Sequence, residues 1–348
     1  MSRKFNVAVV GATGVVGEVM LSLLAERGFP HSDVHAVASS RSAGQKVAFA
    51  GRELIVEDLE KFDFSGIQIG LFSPGASVSQ AHAPRAAAAG CVVIDNTSCF
   101  RYDPDIPLVV PEVNPDDIAH YRNRGIIANP NCSTIQMVVA LKPIHDAVGI
   151  ERINVCTYQS VSGTGKEAIA ELEQQSAALL NGSPVCTSVY PRQIAFNVLP
   201  HIDVFMENGY TREEMKLVWE TQKIMGDDSI RVNATTVRVP VFYGHSEAVH
   251  IETRKKISVK DVRKLLSHAP GVVLMDEPRD GGYPTAVTEA AGTDPVFVGR
   301  VREDISHPMG LNLWIVCDNV RKGAALNSVQ IAEILVKRYL QNIVKGHS

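Results

Sequence analysis

Cys132 stands in the run Asn129-Pro130-Asn131-Cys132-Ser133-Thr134-Ile135-Gln136. Asn-Pro-Asn breaks the chain, and Asn131 has the chemistry of an N-cap. The pattern therefore predicts a helix beginning near Ser133, with Cys132 in its first turn. Unpaired backbone N–H groups and the helix dipole favour thiolate over thiol at such a position. Thiolate is a nucleophile suited to acyl transfer. The competing reading is a small buried residue at a helix start, and spacing alone does not separate the two. A second constellation is rich in glycine. Gly11, Thr13, Gly14, Val15, Val16 and Gly17 lie in GATGVVG, after an apolar run and before a helical pattern. Glycines there let the backbone turn tightly and approach a pyrophosphate seated on the helix N-terminus. The spacing is GxxGxxG, a variant of GxGxxG, and a plain tight turn is the alternative.

The end of the second strand selects between dinucleotides. An NAD site places a carboxylate there for the ribose 2′-hydroxyl. Ala38 is followed by Ser39, Ser40, Arg41 and Ser42, hydroxyls and a guanidinium with no carboxylate among them. These suit a 2′-phosphate, so NADP is favoured, unless Arg41 is only a solvated loop residue.

These residues need elements to position them. Apolar runs at Phe5–Val10, Val34–Ala38, Ile67–Phe72, Cys91–Asp95 and Gly125–Ala128 read as strands. Helical patterns at Gly14–Arg27 and Ser77–Ala89 separate the earlier ones. Such alternation implies an α/β, Rossmann-type parallel sheet over residues 1–131. After about Gly149 the pattern changes. Arg152–Val161 alternates, with Ile153, Val155, Thr157, Gln159 and Val161 on one face. Ser229–Val241, Glu247–Thr253, Phe297–Arg302 and Leu311–Cys317 read as strands, and Thr211–Met225 and Ser258–Ser267 as helices. Residues 132–318 are thus expected to form an α+β domain with a mainly antiparallel sheet. Ser183–Pro200 is irregular, and Asn319–Val344 reads as one C-terminal helix.

The sequence has 348 residues, a charge of −4, 45% hydrophobic and 21% charged residues, which fits a globular protein of about two domains. A slightly acidic chain has no global pull toward nucleic acid or an anionic membrane, and no apolar run reaches the ~20 residues of a membrane helix. Six cysteines form no CxxC pair and no zinc-finger spacing, so neither a metal site nor a disulfide framework is expected. The expectation is a cytoplasmic protein with reduced thiols, most of them buried and inert.

GATGVVG, NPNCSTIQ, YQSVSGTGKEA around Gln159, and RVPVFYGHSEAV from Arg238 through His245 resemble the aspartate-β-semialdehyde dehydrogenases along essentially the whole chain. The resemblance implies NADPH-dependent reductive dephosphorylation of L-4-aspartyl phosphate to L-aspartate 4-semialdehyde, with release of inorganic phosphate, in lysine, methionine and threonine biosynthesis. It implies a Cys132 thioester, His245 as acid/base and Gln159 as the group orienting the acyl unit. It assigns Arg238 to the substrate carboxylate, for which a planar fork is suited, and Arg101 to phosphate. Asn131 joins the substrate-binding set. Glu213 and Lys216, three apart near a helix start, are assigned to the substrate ammonium and to phosphate; by pattern alone they read as a surface ion pair. Thr211 and Glu214 have capping-box spacing, which leaves Glu213 free. His250 reads as structural.

Ser162 and Gly163 are implied near the nicotinamide side of the cofactor. Asn319 is either there or only the N-cap of the last helix. The resemblance also implies a homodimer formed through the second domain, and a C-terminal helix, 319–348, that returns to the first. N-acetyl-γ-glutamyl-phosphate reductase is the nearest rival, but its substrate lacks the ammonium that would use Glu213. A glyceraldehyde-phosphate dehydrogenase fits less well, and a non-catalytic NADP-binding sensor leaves Cys132, Gln159, Arg238 and His245 without purpose.

Overall fold

The computed structural model describes residues 3–341, which form two compact units. The first runs to Asn131 and resumes at Ala324; the second is Cys132–Gly323.

The first unit opens with β1 (Phe5–Val10), α1 (Val15–Glu26) and β2 (His31–Ala38). A hairpin of β3 (Lys46–Phe49) and β4 (Arg52–Ile55) follows, then the two-residue β5 (Glu57–Asp58). Next come β6 (Ile69–Phe72), α2 (Ala76–Ala88), β7 (Val92–Asp95) and β8 (Ile126–Ala128). The sheet order is β5-β2-β1-β6-β7-β8, and every pairing is parallel. β1 lies where the order reverses, so the chain leaves its carboxyl end into Gly11 at a switch point, where open α/β sheets bind ligands. Phe5, Val7 and Val9 of β1 share one core cluster with Met20, Leu23 and Leu24 of α1 and with Leu326, Val329 and Leu335 near the C-terminus.

The second unit starts with α3 (Cys132–Val148), β9 (Ile150–Gln159), α4 (Lys166–Leu180) and α5 (Arg212–Met225). It continues with β10 (Arg231–Arg238), β11 (His245–Thr253), α6 (Val259–Ser267), β12 (Val272–Leu274), β13 (Val296–Glu303) and β14 (Gly310–Cys317). The sheet order is β10-β9-β11-β14-β13-β12. Three of its five pairings are antiparallel, and the outer two, β10 with β9 and β12 with β13, are parallel. The sheet is therefore mixed around an antiparallel centre. Ile153, Val155, Thr157 and Gln159 alternate inward along β9 as their spacing predicts, while Asn154, Cys156 and Tyr158 are half-buried on the other face.

α5 begins with the expected capping box: Glu214 N–H donates to Thr211 Oγ1, and Thr211 N–H to Glu214 Oε2. The irregular stretch after α4 is tied to that helix. Glu171 accepts N–H and O–H bonds from Ser188, and Gln175 Oε1 accepts the N–H groups of Ile194 and Ala195.

The C-terminal helix departs from expectation. α7 (Leu326–Leu335) is flanked by wider helical turns over Arg321–Ala325 and Val336–Leu340. Asn319 does not cap it. Asp318 Oδ1 accepts the N–H groups of Val320 and Arg321 and supplies that start, leaving the Asn319 amide to other partners. Residues 342–344 of the expected helix lie outside the described residues.

Candidate active site

Strand ends build the core of the site. β10 and β9 end side by side, with Arg238 opposite Gln159. Antiparallel β11 begins at the same edge with His245, opposite Cys317 at the end of β14. Cys132 is the first residue of α3, and the Gly323 backbone packs on it, since a Cβ at Gly323 would stand 2.9 Å from the Cys132 Cβ. Burial pushes the Cys317 thiol up, with Asp318, Glu247 and Cys132 adding to the effect against Lys322. Cys317 thus adjoins Cys132 and pairs with His245.

His245 is fully buried. Its Nδ1 accepts the Ser160 N–H at 3.1 Å and lies 3.1 Å from Ser160 Oγ. Its Nε2 has no partner among the described residues. Burial, then the Arg238 guanidinium, pulls its pKa down to about 3 against the Glu213 carboxylate and the Gly244 carbonyl. Asn319 braces this corner: its Oδ1 accepts from Gly244 N–H, Ser160 Oγ and Ser162 Oγ at 2.9, 3.0 and 3.2 Å. Only glycine fits at 244, where φ is +89° and a Cβ would stand 2.8 Å from the Ala286 carbonyl oxygen.

Arg238 is anchored by Nη1–H to the Ser160 carbonyl at 2.7 Å, and its buried Nε is without a partner among the described residues. Gly163 marks where the two groups converge. A Cβ there would lie 3.2 Å from Arg238 Nη1 and 3.4 Å from His245 Nε2. Gln159 donates from Nε2 to Glu213 Oε1 and Thr157 Oγ1. Lys216 Nζ bridges Glu213 and Asp203 at 2.8 Å each. The Glu213–Lys216 pair is therefore largely buried, and the surface-pair reading fails. Burial opposes the Lys216 charge, but Glu213 and Asp203 outweigh it and raise its pKa.

The remaining expected residues belong to the first unit. Arg101 is buried and donates to the carbonyls of Asn129 and Asn96 at 2.9 and 3.0 Å. Asn131 is buried immediately before α3. In the glycine loop a Cβ at Gly17 would stand 2.1 Å from the Gly11 carbonyl oxygen, and one at Gly11 2.6 Å from the Ser73 oxygen. Gly14 caps α1 without a side chain, as an N-terminus that receives an anion requires. Val15 and Val16 open that helix, and Thr13 Oγ1 donates to Ser42 Oγ at 3.4 Å. Ser39, Ser40 and Arg41 are exposed in the turn after β2.

One correction concerns that turn. β5 pairs with the end of β2 and sets Asp58 beside it, where Asp58 Oδ1 accepts from Ser40 Oγ at 3.0 Å. A carboxylate is present after all, carried in by a strand too short to show a pattern.

The chain matches the pattern described as semialdehyde dehydrogenase, NAD binding domain, over residues 6–121 and the one described as semialdehyde dehydrogenase, dimerisation domain, over 141–322. It is 65% identical over 339 residues to the aspartate-semialdehyde dehydrogenase of Shewanella violacea, covering 97% of this chain and all of that one. The chain belongs to the aspartate-semialdehyde dehydrogenase family. Among solved structures of that family, aspartate semialdehyde dehydrogenase II from Vibrio cholerae complexed with ASA superposes with a TM-score of 0.95 at 61% identity, over 97% of this chain and all of that chain. The Candida albicans enzyme with NADP reaches 0.76 at 26% identity, over 96% and 98%.

Some side chains around the family's motifs escaped sequence reasoning. Ser160 sits inside YQSVSGTGKEA but carries no signal of its contact with His245. Asp203 lies in an irregular segment, and only the fold brings it to Lys216. Glu247 is fully buried two residues after His245; burial pushes its carboxyl well above its ordinary value against the neighbouring Gln136, itself fully buried one helical turn after Cys132. His250 is structural, its Nε2 meeting Asp304 at 2.7 Å. Of the six cysteines, only Cys91 and Cys317 are buried, which corrects the expectation for the rest, and all are free. No group of three or more potential metal ligands occurs among the described residues.

Proposed function

We propose that the chain is an aspartate-semialdehyde dehydrogenase that makes L-aspartate 4-semialdehyde and inorganic phosphate from L-4-aspartyl phosphate through a Cys132 thioester. The observation that carries the reading is the convergence at Gly163 of two buried side chains, Arg238 and His245, whose Nε and Nε2 have no partner among the described residues. The Arg238 fork, held by Ser160, takes the substrate carboxylate. His245 Nε2 faces the acyl oxygen. Cys132 attacks the acyl carbon, expels phosphate and forms the thioester; dividing the reaction this way replaces one hard step by two easier ones. Gln159 and Glu213, already bonded to each other, orient the acyl unit and hold the ammonium. Lys216 and Arg101 take phosphate, and Asn131 supports the substrate.

The cofactor is NADP. The glycine loop fits its pyrophosphate because Gly11 and Gly17 leave no room for a side chain and the α1 N-terminus carries no side-chain cap. Val15 and Val16 begin the helix beneath it; Ser39, Ser40, Arg41 and Ser42 face its 2′-phosphate, and Ser162, Gly163 and Asn319 its nicotinamide. When bound, it supplies the hydride that reduces the thioester. The protein is a cytoplasmic homodimer joined through the second unit, whose half-buried Tyr158 and Trp314 supply an aromatic face for contact. No helix among the described residues is long and apolar enough to cross a membrane.

The test is NADPH formation from L-aspartate 4-semialdehyde, NADP⁺ and phosphate, each omitted in turn, and repeated with NAD⁺. Turnover that needs all three, with NADP⁺ preferred, is expected. Turnover only with N-acetyl-glutamate 5-semialdehyde would replace the substrate assignment.

A further inference from the structure

We infer that Asp203 is a displaceable counter-ion of Lys216 that weakens the hold of this site on phosphate, so that inorganic phosphate leaves readily once the thioester has formed. The inference rests on the proposed role of Lys216 as a phosphate ligand and adds to it a residue that no sequence motif marks.

Three observations carry it. Lys216 has three N–H donors, and two are already committed, to Glu213 Oε2 and Asp203 Oδ2 at 2.8 Å each. The Lys216 side chain is 11% exposed and that of Glu213 7%, whereas Asp203 stands at the rim with 26%. Of the two carboxylates, Asp203 is therefore the one that an anion arriving from solvent can replace. Finally, Asp203 is built into its place. Its φ is +67°, a left-handed conformation that Asp and Asn tolerate better than other residues with a side chain. Its Oδ1 accepts the Val204 N–H at 2.8 Å, which leaves Oδ2 for Lys216. The backbone is pinned on either side. Leu199 and Arg238 exchange N–H···O bonds at 2.9 and 2.8 Å, and Arg212 N–H donates to the Val204 carbonyl at 2.8 Å. One short segment thus grips the strand end that carries Arg238 and the helix start that carries Glu213 and Lys216. A solvated surface ion pair has no such scaffold.

The charges give the sign of the effect. Lys216 carries one positive charge against two carboxylates, so the cluster is net negative. A substrate ammonium on Glu213 brings it to neutrality, and phosphate then meets a neutral cluster. Without the Asp203 charge it would meet a positive one. A unit charge ~6 Å from phosphate, at an effective dielectric between ~40 and ~80, corresponds to a ~3–10-fold change in affinity. In the reductive direction phosphate is the leaving group. Lys216 steadies it as it departs, and Asp203 then takes back the lysine N–H for which the product competes. Asp203 is a positioning residue, acting through Lys216.

The test is steady-state oxidation of L-aspartate 4-semialdehyde with inorganic phosphate varied at saturating NADP⁺. Asp203→Asn keeps the shape and tolerates the same φ but removes the charge. Its KM for phosphate should fall ~3–10-fold while its KM for NADP⁺ stays within about twofold, and phosphate should inhibit the reductive reaction at correspondingly lower concentration. Asp203→Gly, which accepts the same φ, should move the KM for phosphate the same way and keeps the test open where the Asn variant does not fold. A purely structural residue would leave that KM unchanged or raise it, and either result overturns the inference. Lys216→Met tests the underlying reading separately. A KM for phosphate raised at least about tenfold upholds the lysine as a phosphate ligand, and an unchanged one removes that assignment whatever Asp203 does.

Discussion

Glu247→Gln should make the protein more stable, by an amount that grows with pH. Glu247 is fully buried in β11, and burial raises its carboxyl well above the ordinary 4.5. The unfolded chain releases the carboxyl proton above 4.5. Above this value the folded state therefore binds more protons than the unfolded one, and stability falls as pH rises until Glu247 ionises in the fold. The slope is at most ~1.4 kcal/mol per pH unit. Between about pH 5.5 and 7.5 the wild type should lose up to ~2.7 kcal/mol that the Gln variant retains. For a unit the size of Cys132–Gly323 that corresponds to ~5–10 °C in Tm. Glutamine keeps the shape of the protonated acid, so kcat should stay within about threefold, the scale of a perturbation well under 1 kcal/mol. The assay is thermal unfolding of both proteins across this range in one buffer series. A constant difference in Tm would show that Glu247 ionises in the folded protein and would refute the reasoning.

Cys132→Ala should reduce turnover below ~10⁻⁴ of wild type, as expected for a lost nucleophile, with Tm shifted by no more than a few degrees; residual activity above that level would remove the thioester. Arg238→Lys keeps a positive charge but loses the planar fork, so steady-state kinetics should show kcat/KM lower by ~10–150-fold, the worth of a charged hydrogen bond. Gly163→Ala places a methyl 3.2 Å from Arg238 Nη1 and 3.4 Å from His245 Nε2. Its kcat should fall by ~10²-fold while Tm changes little, since the methyl fills the space that both side chains border; wild-type kcat would show that the substrate binds elsewhere.

Much of this architecture was legible because it rests on periodicity. β1 is a six-residue run apolar at every position but Asn6, and β9 alternates over its length, so both types emerge from side-chain spacing alone. The helix of Cys132 was expected from Asn-Pro-Asn, and the capping box of α5 from Thr211 and Glu214. The hairpin of β3 and β4 was not legible: its strands are four residues each and mix charged with apolar positions. α4 has a composition that favours helix, but it follows directly on Gly163 and Gly165, whose punctuation reads as loop. The two readings left open at Asn319 have a sharper cause. Asp318 and Asn319 are both good N-caps, and sequence cannot say which side chain turns toward the helix and which toward Ser160. The site itself was legible as single motifs and illegible as contacts, since Ser160 to His245 spans 85 residues and Gln159 to Glu213 spans 54.

The buried edges of Arg238 and His245 have a consequence for selectivity. Among the described residues Arg238 Nε and His245 Nε2 are out of water and without a partner, and a buried unsatisfied group costs about 1–3 kcal/mol, more when charged. The Arg238 guanidinium, by its Nη1, and His245 Nε2 border the space above Gly163. A substrate carrying a carboxylate and an acyl oxygen satisfies both at once, whereas a simple aldehyde fills one and leaves the guanidinium desolvated. Sites built from buried hydrogen-bonding groups reject ligands that lack the matching group by ~10⁴–10⁵-fold, far beyond what a missing methylene achieves. Discrimination against plain aldehydes therefore needs no lid or second checkpoint. It follows from an arginine whose Nη1 is committed to the Ser160 carbonyl while its Nε is left for the ligand.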